Sequence, residues 1–140
     1  MRILIVEDDA MNAKLFDVIL TRKASFHVEI TEDPDLVRRR AREGSVDVII
    51  LDVSLSNSTW DGMPVDGLEI CRRLKGDPET AGVPVLLATA HAMKGAREKF
   101  LTESGADDYI SKPIVSADEL IETIRALARK GAHGTASPPR

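Results

Sequence analysis

The chain is poor in cysteine, in aromatic residues and in long apolar runs. Its one cysteine among 140 residues, Cys71, can form neither an internal disulfide nor a multi-thiolate zinc site, so the fold must rest on packing. No apolar run approaches the roughly 20 residues that a membrane-spanning helix needs. The start, Met1-Arg2-Ile3-Leu4-Ile5-Val6-Glu7-Asp8-Asp9, turns acidic too soon for a secretory signal. No membrane association is expected, and a soluble cytoplasmic domain is the default reading. There is no long basic block either: charges of both signs are mixed, with a net charge of −4 and a pI near 5.4, which argues against direct nucleic-acid binding. What is present is 43% apolar and 30% charged residues, in a length that suits one compact domain.

Short β-branched apolar runs alternate with longer segments of helical period. The runs are Ile3–Val6, His27–Thr31, Val46–Leu51, Val83–Thr89 and Asp107–Ser111, and they read as five strands. The first, third and fourth are almost wholly apolar, as expected of strands covered on both faces, whereas the second and fifth carry polar residues and read as edges. Between them, apolar residues recur at spacings of three and four: Met11, Leu15, Phe16, Ile19 and Leu20; Leu36, Val37 and Ala41; Leu68, Cys71 and Leu74; Met93, Ala96, Phe100 and Leu101; Leu120, Ile121, Ile124, Leu127 and Ala128. Each set predicts a helix burying one stripe, with Cys71 as core.

Asp33-Pro34 and Ser116-Ala117-Asp118-Glu119 are start signals, and Gly44, Gly76, Gly105 and Gly131 stand where left-handed residues would close the second to fifth helices. The strict alternation predicts a doubly wound α/β fold with a parallel sheet and right-handed crossovers. The domain is expected over 1–130, and 131–140, without apolar pattern, as a disordered tail or a stub of linker.

In such sheets ligands bind beyond the carboxyl ends of the strands. There the first strand delivers Glu7-Asp8-Asp9, the third Asp52, the fourth Thr89 and the fifth Lys112-Pro113. Carboxylates held close together repel one another unless a cation neutralises them. An all-oxygen set suits a hard divalent ion, and Mg²⁺ best, since it takes one or two carboxylates and borrows phosphoryl oxygens. A carboxylate beside Mg²⁺, flanked by a hydroxyl and an ammonium, can attack phosphorus to form an acyl phosphate. Asp9 reads first as the N-cap of the first helix.

These residues stand in motifs that resemble the receiver domain of two-component response regulators: Val6-Glu7-Asp8-Asp9, Ile50-Leu51-Asp52-Val53, Asp66-Gly67-Leu68-Glu69, Ala88-Thr89-Ala90-His91-Ala92-Met93, Gly105-Ala106-Asp107-Asp108-Tyr109 and Ile110-Ser111-Lys112-Pro113. The resemblance covers about Arg2 to Lys130. It implies a flavodoxin-like (βα)5 fold with strand order 2-1-3-4-5. It also implies that Asp52 is the phosphoacceptor and that Mg²⁺ is the cofactor, held by Asp8, Asp52 and the backbone carbonyl of Ser54, with Glu7 acting through bound water. Thr89 and Lys112 would bind the phosphoryl oxygens, Thr89 and Tyr109 would form the switch, and the bond before Pro113 would be cis. Such a domain catalyses its own phosphotransfer and slow autodephosphorylation, with no separate substrate. Its donor would be a sensor histidine kinase or a histidine phosphotransfer protein. Its output would be a downstream protein target or a phosphorylation-dependent homodimer.

Other readings of the same residues are a phosphorylation-independent interaction module of this fold and an aspartyl-phosphate phosphohydrolase. The hydrolase needs a second carboxylate two residues after the nucleophile, where this chain has Ser54. Ser54 and His91 are candidates for tuning attack of water on the acyl phosphate, His91 being otherwise a bystander. Arg38, Arg39, Arg40 and Arg42 form a basic helix face, either solvated or a docking patch. The chain departs from the family pattern between Asp52 and Asp66, where 53–65 exceeds the usual ~2–6 residues of such a connection. It holds Trp60, a candidate to cover the site or contact a kinase, against a merely tolerated insertion.

Overall fold

The computed structural model describes residues 1–56, 58–90 and 95–136, with only the backbone described for 132–136. Five strands, β1 (Arg2–Val6), β2 (His27–Thr31), β3 (Val48–Asp52), β6 (Val85–Thr89) and β7 (Asp108–Ser111), form one parallel sheet in the order β2-β1-β3-β6-β7. Two further strands, β4 (Ser58–Trp60) and β5 (Met63–Val65), lie outside it, so the order is that expected for a flavodoxin-like (βα)5 fold. The helices are α1 (Ala10–Val18), α2 (Pro34–Glu43), α3 (Gly67–Gly76), α4 (Ala96–Ser104) and α5 (Ala117–Ala136); one π-helical turn, Ile19–Lys23, prolongs α1.

The sheet separates two cores by the two-residue period of its strands. Leu4, Val6, Ile49, Leu51, Val85 and Leu87 face Val37 and Ala41 of α2 and Ile70, Cys71 and Leu74 of α3. Ile3, Ile5, Val48, Ile50, Leu86 and Ala88 face Phe16 of α1, Leu20, and Leu120, Ile121 and Ile124 of α5. β1, β3 and β6 are covered on both faces, and β2 and β7 are the half-exposed edges that their polar residues predict.

The ends of the helices follow the start signals and only part of the stop signals. Asp9, Asp33 and Asp66 cap α1, α2 and α3 by accepting backbone N–H groups, and Ser116 Oγ accepts from Glu119 N. Gly44 and Gly105 close α2 and α4 in the left-handed conformation. Gly76 and Gly131 do not: Gly76 is the last residue of α3, with Asp77 as its cap, and Gly131 lies inside α5. A Cβ on Gly131 would come within 2.5 Å of Pro84 Cγ, so close packing, rather than a turn, favours glycine there. The stretch read as a tail from Gly131 is helical as far as Ala136.

Two other expectations are corrected. α1 buries Ala13 and Phe16 and leaves Met11 84% and Leu15 40% exposed, so its inward stripe is offset from the one the apolar spacing suggests. The connection after β3 is an ordered antiparallel hairpin, pairing Ser58 with Val65 and Trp60 with Met63. Asp61 (φ 51°) and Gly62 (φ 82°) form its two-residue turn, both with the positive φ that suits the right-handed twist of the arms.

Candidate functional site

The strand ends bring the acidic residues together because all five main strands run the same way. Glu7 and Asp8 follow β1, Asp52 ends β3, Thr89 ends β6 and Lys112 follows β7. Adjacent registers, Val6 with Leu51, Asp52 with Ala88 and Thr89 with Ser111, put these ends at one edge. Oxygen atoms of Glu7, Asp8 and Asp52 lie within 4.8 Å of one another. Lys112 Nζ reaches into this group and donates to Glu7 Oε1 at 2.9 Å and to Asp52 Oδ1 at 3.0 Å. The peptide bond between Lys112 and Pro113 is cis, and Lys112 N donates to Thr89 O at 2.7 Å, tying β6 to the turn that carries the lysine.

Glu7 and Asp52 are each 4% exposed, and Asp8 is half-buried. Burial is the main reason that the Glu7 carboxyl is pushed up to about 7; the ammonium of Lys112 pulls it down, and the neighbouring Asp52 pushes it up again. Burial alone would lower Lys112, but its hydrogen bonds to Glu7 and Asp52 outweigh that and hold it above the ordinary lysine range. Among the described residues, three carboxylates thus share the pocket with the single ammonium of Lys112. The donor set these residues make, three carboxylates with no sulfur or imidazole, fits a hard divalent cation such as Mg²⁺.

Backbone contacts fix Asp52. Val53 N donates to Ala88 O and Gly67 N to Val53 O, both at 3.0 Å, while Ser54 N donates to Asp52 Oδ1 at 3.3 Å. A Cβ on Gly67 would fall 1.9 Å from the carbonyl oxygen of Asp52, so only glycine lets α3 start against the phosphoacceptor candidate. Gly67 was visible in the Asp66-Gly67 motif, but nothing in the sequence showed what it touches.

The remaining candidates are placed as follows. Thr89 is fully buried at the end of β6. Tyr109 is half-buried on β7, its ring 6.1 Å from that of Phe100. His91 lies outside the described residues. Trp60 neither covers the acidic pocket nor offers itself to a partner: it is 7% exposed and packed in the α2–α3 core, with the guanidiniums of Arg38 and Arg73 over its ring at 4.9 and 5.6 Å. The basic face of α2 is largely neutralised: Arg38 pairs with Asp35, Arg40 with Glu29 and Glu43, and Arg42 with Glu79. Ser56 went unnoticed in the sequence. Its N–H and its hydroxyl both donate to Asp8 Oδ2, at 3.2 and 3.0 Å, and with the two residues 48 positions apart in the sequence no local pattern could have revealed it.

A five-stranded doubly wound sheet with Glu7, Asp8, Asp52, Thr89 and Lys112 at its carboxyl edge defines a class of signalling protein. The family profile "Response regulator receiver domain" matches residues 3–125, and the chain belongs to that family, the phosphorylatable module of two-component signalling. Among curated relatives it is 38% identical over 125 residues to the polar-differentiation response regulator DivK of Brucella ovis, covering 89% of this chain and 93% of the relative. Against DivK of Brucella anthropi it is 36% identical over 124 residues. Among solved structures, the receiver domain of a Pseudomonas aeruginosa PAO1 sensor histidine kinase, described with a magnesium ion in its active-site cleft, superposes with a TM-score of 0.74. The identity is 27%, over 91% of this chain and 97% of that one. The signal receiver domain of a Syntrophus aciditrophicus histidine kinase gives the same TM-score at 27% identity, over 99% and 94% of the two chains. Among the described residues no helix is long and apolar enough to cross a membrane.

Proposed function

We infer that this receiver takes a phosphoryl group from the phosphohistidine of a sensor histidine kinase or a histidine phosphotransfer protein onto Asp52. The observation that carries the reading is the bridge from Lys112 Nζ to Glu7 and Asp52, inside a cluster whose oxygens lie within 4.8 Å. An Asp52 oxygen attacks phosphorus, the phosphorus–nitrogen bond breaks, and the electron pair stays on the imidazole nitrogen, which takes up a proton. Lys112 and Thr89 hold the phosphoryl oxygens. Asp8, Asp52 and the Ser54 carbonyl would hold Mg²⁺, with Glu7 acting through its water; when bound, the ion supplies positive charge to the phosphoryl oxygens.

The donor docks on α1, whose Asp9 cap places it beside Glu7 and Asp8 and whose Met11, Leu15 and Val18 leave apolar surface in solvent. Movement of Thr89 toward the phosphoryl group draws Tyr109 inward and reshapes the groove of about 410 Å³ lined by Arg97, Tyr109, Ile110, Pro113, Ile114 and Ser116. A downstream protein, or a second phosphorylated copy, reads that surface. A cytoplasmic setting goes with such partners, and Ser54 and His91 are the residues that would tune the lifetime of the acyl phosphate.

The test is incubation with Mg²⁺ and acetyl phosphate, following inorganic phosphate release. A slow release after about one equivalent of uptake supports a receiver. Fast continuous turnover would show a phosphohydrolase, and no uptake a silent interaction module.

A further inference from the structure

The segment between Asp52 and α3 is anchored at several of its described residues. Leu55 is buried in the α2–α3 core, Ser58 Oγ donates to Glu32 O at 2.9 Å, and Trp60 is packed against Arg38 and Arg73. Between Leu55 and Ser58, Ser56 turns two donors on a single oxygen of a candidate metal ligand, Asp8 Oδ2. One oxygen of a carboxylate has room for about two strong donors, so this arrangement leaves the cation to Oδ1. It also fixes the plane of the carboxylate, as hydrogen-bond partners of metal ligands do elsewhere.

We propose that Ser56 is a positioning residue of the cation site, orienting Asp8 for the ion and thereby coupling occupancy of the site to the order of the β4–β5 hairpin that it precedes. The proposal rests on reading Glu7, Asp8 and Asp52 as that site. The short connection usual at this place, about 2–6 residues, has no hairpin to be coupled. Here Ser56, on the acidic pocket, leads into a hairpin whose Trp60 is packed in the α2–α3 core, on the opposite side of the sheet from α1.

The test uses the full chain, freed of metal, in three forms: wild type, Ser56→Ala and Ser56→Thr. Each is titrated with MgCl2 by calorimetry, and amide hydrogen exchange of the hairpin is measured with and without the ion. Ser56→Ala should bind Mg²⁺ about tenfold more weakly, the low end for such partners because the backbone donor remains. Ser56→Thr, which keeps the hydroxyl, should return to the wild-type range. Mg²⁺ should slow exchange across Ser58–Val65 in wild type and not in Ser56→Ala, while the metal-free melting temperature barely moves. Equal or tighter binding by Ser56→Ala, or a wild-type hairpin indifferent to Mg²⁺, would overturn the proposal and leave the cation site standing. A wild type that takes up no Mg²⁺ would overturn both.

Discussion

A carboxyl group buried beside another carboxylate keeps its proton longer than one in water, and Glu7 keeps it until about pH 7. In the unfolded chain the same group ionises near its ordinary value of 4.5, so between these values the folded state binds more protons. The stability this contributes is full below about pH 4.5 and is lost as the pH rises through about 7. Urea unfolding in EDTA should therefore show wild-type stability falling across that window and levelling off above it, with a shallower fall for Glu7→Gln. Parallel curves for the two proteins would show that Glu7 is not held protonated.

Gly67 sets a second constraint at this scale. Gly67→Ala places a methyl group 1.9 Å from the Asp52 carbonyl oxygen, and because both partners are backbone the clash can be relieved only by moving α3 or Asp52. The expected cost is about 3 kcal/mol or more in denaturant unfolding, the upper range for overpacking, together with slower phosphoryl uptake. The acids, the hydroxyl and the lysine were legible in the sequence because parallel strands deliver their carboxyl ends to one edge. Gly67 and Ser56 owe their roles to contacts between distant segments, which no local pattern carries.

Elements follow the same division. The strands and most helix starts could be read directly, since side-chain period and capping are local. The hairpin could not, although Asp61-Gly62 is a strong turn signal: its arms are only Ser58–Trp60 and Met63–Val65, with Pro64 in the second, too short for alternation to show. Its single large anchor is Trp60, and Trp60→Ala should cost about 3–5 kcal/mol of stability, the range for removing a buried large aromatic, as measured by urea unfolding. The stripe of α1 was misjudged because the helix is apolar on two sides and spacing does not say which side meets the sheet. That ambiguity points to the outward side. Leu15→Lys should leave stability within about 0.5 kcal/mol and uptake from acetyl phosphate unchanged, while slowing transfer from a phosphohistidine protein. Equal transfer rates for Leu15→Lys and wild type would remove α1 from the docking surface.

For the molecule as a whole, two cores clamp a sheet whose interior strands, Arg2 at the start of β1 apart, are apolar up to the residue where each meets the acidic edge. The packed scaffold ends where the candidate site begins, with Asp52 and Thr89 buried at the last positions of β3 and β6 and Lys112 one step past β7. In the proposed reading, activation would repack a few side chains at that edge and leave the sheet in place. The claim at the centre is that Asp52 itself takes the phosphoryl group, and intact-mass spectrometry after incubation with Mg²⁺ and acetyl phosphate tests it most directly. Wild type should gain the mass of one phosphoryl group, lost again on brief alkaline treatment, and Asp52→Asn should gain none. An adduct of equal yield on Asp52→Asn, or none on wild type, would contradict the account.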